Sequence, residues 1–155
     1  MRVAIIGAGL GGLVAGAMLQ RMGQEVRIFE QSSGFERLGA GINLGPNLMK
    51  VMRHIGVERQ LCEIGLEPAG WCSRHFATGE TMFRYPFREA SLKQFGAPYL
   101  LIHRGDFHAV LSTAVIAGSV EFGKKLAGFD QRGDVVRLRF AHGETVEADV
   151  VIGAD

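Results

Sequence analysis

The sequence predicts an α/β fold in one domain over residues 1–155, and three observations predict it. The uncharged run from Val3 to Leu19 holds a short β-branched stretch, a glycine cluster and an apolar stripe of helical period, in that order. A second strand-to-helix junction stands at His103-Arg104-Gly105-Asp106. Beyond it, Val136, Leu138 and Phe140 alternate with Arg137 and Arg139, the period of a β meander.

Val3 to Ile6 reads as a central parallel strand stopping at Gly7. Leu10, Leu13, Val14, Ala17 and Met18 repeat as one face of a helix, and Gly23 follows as its stop. Val26 to Phe29 resumes the strand pattern, so residues 3–29 form a βαβ unit. Elements buried on both sides read as continuous apolar runs, which explains the absence of charge without a signal peptide or membrane span. Five glycines and a length short of about 20 residues argue against a span as well.

Pro46 opens a second helix presenting Leu48, Val51, Met52 and Ile55 and closed by Gly56, with further turns from Val57 to Ile64. From Trp71 to Tyr85 two short stretches flank Ala77-Thr78-Gly79-Glu80, the pattern of an antiparallel hairpin. Tyr99 to His103 is again a strand. Phe107, Val110, Leu111, Ala114 and Val115 then make an amphipathic stripe between Asp106 and Gly118. Ser119 to Phe122 is expected as a third parallel strand. The meander follows, with turns at Arg132-Gly133-Asp134 and His142-Gly143-Glu144, and Val150 to Ile152 forms a last buried strand before Gly153-Ala154-Asp155.

Composition bounds the function. Hydrophobic residues make up 47% and charged residues 21%, enough for a packed core. Seventeen basic and 16 acidic residues leave a net charge of +1, which implies neither a nucleic-acid partner nor an anionic membrane. Two cysteines, Cys62 and Cys72, form no CxxC and suit a reducing, cytoplasmic setting. The five histidines show no ligand spacing with carboxylates, so no metal is expected. Glycine stands at 22 residues, roughly twice ordinary usage.

Some of those glycines carry chemistry. Gly7-Ala8-Gly9-Leu10-Gly11-Gly12 is a G-x-G-x-x-G between a strand and a helix. Gly7 permits the tight turn, Gly9 lets a diphosphate approach the backbone, and Gly12 brings helix and strand together. The free N–H groups of the first helical turn then face the diphosphate. Glu30 stands 18 residues beyond Gly12, where an acidic side chain accepts hydrogen bonds from an adenosine ribose and repels a 2′-phosphate. The ligand is expected to be FAD or NAD rather than NADP. A turn kept for packing alone, and a solvated charge at Glu30, are the competing readings.

Four motifs in order extend the picture: the opening G-x-G-x-x-G, Arg37 to Asn47 (RLGAGINLGPN), His103-Arg104-Gly105-Asp106, and Asp149 to Asp155 (DVVIGAD). Together they resemble the single-component FAD-dependent aromatic hydroxylases over the whole chain. The resemblance implies a Rossmann-like FAD-binding fold of the glutathione-reductase type, with an interleaved antiparallel hairpin from the substrate domain; residues 66–98 would be the excursion that contributes to the substrate-binding sheet. It implies that Gly7, Gly9, Gly11 and Gly12 bind the diphosphate, Glu30 the adenosine ribose and Gln31 its surroundings. Gly39 and Gly41 would lie along the cofactor, Arg104 would reach FAD from the start of its helix, and Leu126 would offer backbone contacts to adenine. Arg37, Asn43 and Asp155 complete the expected cofactor-binding set.

The activity implied is hydroxylation of a small aromatic or N-heteroaromatic acid through a flavin C4a-hydroperoxide, with NADH or NADPH and O2 as co-substrates. A homodimer is compatible with it. Asn43 stands where pyridine hydroxylases of this family can carry a histidine, and the family's Gly-Ala-Asp-Gly segment is followed here only as far as Asp155. The chain is therefore expected to be truncated, with catalytic residues beyond Asp155 and none within it. Two rivals use the same βαβ unit: an NAD-dependent dehydrogenase domain, and a non-catalytic nucleotide-binding module.

Overall fold

The computed structural model describes residues 1–35 and 39–155. In chain order the elements are β1 (Arg2–Ile6), α1 (Leu10–Arg21), β2 (Glu25–Phe29), β3 (Gly41–Leu44), α2 (Pro46–Ile55), α3 (Glu58–Ile64), β4 (Gly70–Arg74) and β5 (Thr81–Pro86). They continue as α4 (Glu89–Phe95), β6 (Leu100–His103), α5 (Arg104–Ser112), β7 (Val120–Glu121), β8 (Leu126–Arg132), β9 (Val135–Phe140), β10 (Thr145–Ala148) and β11 (Val150–Gly153). The chain divides into two compact units, Met1–Arg37 with His108–Asp155, and Leu38–Phe107.

The first unit is built on a parallel sheet of order β11-β1-β2-β7. Successive side chains of a strand point to opposite faces, so β1 and β2 must bury two surfaces. On one face lies α1, whose Leu13 and Ala17 are buried and whose Gly16 sits against Ile28: a Cβ there would fall 2.6 Å from Ile28 Cδ1. On the other face Ala4 and Phe29 pack with Leu138, Phe140, Val146 and Ala148 of the meander β8-β9-β10. The Phe29 and Phe140 rings meet at 4.9 Å. The uncharged run 3–19 is thus β1 followed by α1, and among the described residues no helix is long and apolar enough to cross a membrane.

The second unit pairs β3 with β6 and β4 with β5, both antiparallel. Pro46 and the left-handed Gly56 bound α2, which buries Met49, Met52 and Ile55. The hairpin forms where the alternation indicated, as a sheet of its own, and Trp71, Met82 and Phe83 on it are exposed.

Three local differences from the sequence expectations have physical reasons. β3 comes from Gly-Ile-Asn-Leu, a sequence of mixed strand preference, and is a strand because β6 supplies its partner. The seven-residue α4 follows Arg88, whose φ of 55° makes the turn into it, and is too short to show a period. The stripe through Val115 overshoots α5, which ends at Ser112; Thr113 and Ala114 N–H groups bond three residues back, to Val110 and Leu111, as tight turns do. At its other end α5 begins at Arg104, where Gly105 N–H donates to His103 Nδ1 in place of an ordinary cap (3.1 Å).

Candidate cofactor site

The turn between β1 and α1 is fixed before any ligand is considered. Gly7 N–H donates to Phe29 O (2.8 Å), and its φ of 103° excludes most side chains. A Cβ at Gly12 would lie 2.0 Å from Gly7 O, so this glycine is demanded by the fold. Gly9 and Gly11 are different. Gly9 has an ordinary φ of −69°, and a Cβ there would meet only Ala154 O at 4.0 Å; at Gly11 it would meet nothing within 4 Å. Internal packing needs neither, although glycine costs a helix about 0.5–1 kcal/mol relative to alanine. The open space beside Gly9 is room for something else.

That space is a cavity of about 440 Å³, within the usual range for small-molecule sites. Gly7, Gly9, Glu30, Gln31, Leu126 and Asp155, all anticipated from the sequence, line it together. Helix α1 meets it with no side-chain cap and no acidic residue in its first turn, leaving amide donors and the positive end of the dipole for an anion. Glu30 accepts from Ala8 N–H (2.8 Å) and Ser32 N–H (2.9 Å), one through each carboxylate oxygen. Partial burial pushes its pKa up, but the hydrogen bonds from Ser32, Ala8 and Gln31 outweigh this and hold it below the ordinary value. An ionised carboxylate with lone pairs to spare is what sugar hydroxyls require.

Two features, one in this cavity and one behind the turn beside it, escape a reading of the sequence. Lys124 and Lys125, directly before the expected Leu126, also line it. Lys124 is tied down: its Nζ bonds to Glu144, which raises its pKa, and lies 3.6 Å from Glu121. Lys125 is exposed. The adjacency to Leu126 was the only signal. His108, an ordinary helix residue in the sequence, bonds through Nε2 to Ala8 O (2.8 Å), and nothing in the sequence links positions 100 apart.

The other expected residues fall in the second unit. A Cβ at Gly39, φ 124°, would lie 3.0 Å from Arg104 Cδ, so the arginine stem packs on the glycine. Arg104 N–H donates to Ala40 O (3.0 Å), and Gly41 pairs with His103. Asn43 lines a separate cavity of about 280 Å³ with Trp71, Phe87 and Tyr99. Arg37 lies outside the described residues.

Comparison with known proteins gives the family. The FAD binding domain family matches residues 1–155. The chain belongs to that family. This FAD-binding domain is 49% identical over 154 residues to 6-hydroxynicotinate 3-monooxygenase of Bordetella bronchiseptica, covering 99% of the chain and 40% of that protein. It is 48% identical to the Pseudomonas fluorescens protein of the same name, with the same coverage. Among solved structures, Klebsiella pneumoniae HpxO complexed with FAD and uric acid matches with a TM-score of 0.87 at 26% identity, over 100% of this chain and 39% of that one. The domain thus has the Rossmann-like fold of FAD-dependent hydroxylases, and FAD is its cofactor. It spans about 40% of the length of the curated relatives it matches.

Proposed function

We propose that this FAD-binding domain serves an NAD(P)H- and O2-dependent monooxygenase that hydroxylates a small aromatic or N-heteroaromatic acid. The observation that carries the reading is the 49% identity to 6-hydroxynicotinate 3-monooxygenase along 99% of the chain. When bound, FAD supplies hydride acceptance from NAD(P)H and activation of O2.

The chain's own residues bind and orient. Gly7 shapes the turn, and Gly9, Gly11 and Gly12 present backbone amides to the diphosphate. Glu30 accepts from the adenosine ribose, with Gln31 beside it, while Leu126 and Asp155 form further edges of the cavity. In the second unit, Gly39 and Gly41 lie along the cofactor, Arg104 packs its stem on Gly39 and offers a guanidinium to cofactor oxygens, and Arg37 completes the set. Asn43 supplies an amide in a cavity lined by the aromatic side chains of Trp71, Phe87 and Tyr99. Trp71 brings the hairpin of the 66–98 excursion into the same cavity. Both cysteines are exposed free thiols, which supports a cytoplasmic setting.

The test is to purify the full-length protein, record its visible flavin absorbance, and follow NADH and NADPH oxidation with aromatic and pyridine carboxylic acids under labelled O2. Substrate-stimulated oxidation with label in the product is expected. A flavin-loaded protein that oxidises NAD(P)H but labels no aromatic acid would overturn the substrate assignment, and a colourless one retaining NAD would overturn the monooxygenase.

A further inference from the structure

His108 lies in α5, far in sequence from the glycine turn, yet its Nε2 is 2.8 Å from the carbonyl oxygen of Ala8. A carbonyl only accepts, so Nε2 carries the proton and donates. The Ala8 carbonyl belongs to the peptide that joins Ala8 to Gly9. In a trans peptide the N–H points opposite the C=O, so holding the Ala8 oxygen also sets the direction of the Gly9 N–H. Gly9 lines the cavity, and its side has no Cβ to restrain the plane by packing.

The preceding peptide is held independently, since Ala8 N–H donates to Glu30. The ring of His108 is itself braced: Phe35 packs edge-on against it at 4.5 Å and 71°, and Phe122 packs edge-on against Phe35 at 4.8 Å and 80°. A hydrogen bond from a braced ring to a glycine-flanked peptide is a device for fixing one orientation of that peptide.

We infer that His108 is a positioning residue for the cofactor diphosphate, acting through the Ala8–Gly9 peptide and touching no ligand itself. This rests on the assignment of the cavity to the ADP half of FAD. The ring and the donor can be separated by substitution. His108→Phe keeps the packing on Phe35 and removes the donor; His108→Gln keeps an N–H donor and removes the ring.

The experiment titrates FAD, ADP and adenosine into full-length apoprotein of each variant. A hydrogen bond of ordinary net strength predicts that His108→Phe weakens FAD and ADP about tenfold and leaves adenosine within about twofold. The apoprotein melting temperature should stay within about 2 °C. His108→Gln should retain FAD within about threefold of the unsubstituted protein. Unchanged FAD affinity in His108→Phe, or equal losses for ADP and adenosine, would overturn the inference. So would an equal loss of FAD affinity in His108→Gln, and that arm decides alone if His108→Phe does not fold. An unsubstituted protein that binds neither FAD nor ADP would sink the cavity assignment instead.

Discussion

Glycine residues three positions apart in the β1–α1 turn, Gly9 and Gly12, do separate jobs, and substitution should separate them. A Cβ at Gly9 fits the backbone angles and meets only Ala154 O, so the Gly9→Val apoprotein should melt normally while FAD affinity falls at least about a hundredfold by calorimetry. Gly12→Ala collides with Gly7 O and should cost about 3 kcal/mol in denaturant unfolding. Acid provides a second probe. Hydrogen bonds hold the Glu30 pKa below its unfolded value of 4.5 despite partial burial, so its contribution is complete above that value and is lost as pH falls through the lower folded value. Denaturant unfolding should therefore show stability lost on acidification below that range, Glu30→Gln should abolish this step, and the same variant should weaken FAD binding about tenfold at neutral pH. At this scale the sequence was informative wherever a residue type was required by backbone geometry or charge, as with Gly7, Gly12 and Glu30. It was silent about His108 because a hydrogen bond across 100 positions leaves no local pattern.

Elements whose period was set by burial were legible, and elements held by a partner were not. β1, α1 and β2 each bury defined faces, so spacing alone located them within a residue or two. β3 and α4 lack such a face pattern, and the first depends on β6. The pairing of β1 with β11 joins residues some 147 positions apart, and a forked ion pair reinforces it: Arg2 Nε and Nη2 bond to Asp149 Oδ1 at 3.1 and 2.7 Å, and Arg2 N–H bonds to Oδ2 at 2.7 Å. The hydrogen bond and charge of Arg2 hold the Asp149 pKa below the ordinary range. Asp149→Asn should lower the melting temperature measured by circular dichroism, with a smaller loss at high ionic strength because the pair is exposed.

For the molecule as a whole, ligand linkage is the decisive test. FAD binding to the folded state alone should stabilise it by about 2.7 kcal/mol at a hundredfold excess over Kd, seen as a rise in melting temperature that Gly9→Val lacks. Division into two compact units was not legible in the sequence, because the second, Leu38–Phe107, is closed by the pairing of β3 with β6 across the residues between them. Sheet order β11-β1-β2-β7 has a further implication for synthesis. The glycine turn follows β1 directly, whereas the strand that pairs with β1 along its other edge lies some 147 positions further along the chain. At roughly 5–20 residues per second, β1 waits on the order of ten seconds with one edge unpaired. During that interval a nascent chain has the glycine turn without the Ala154–Asp155 wall of its cavity, so the cavity is completed only once β11 has been made.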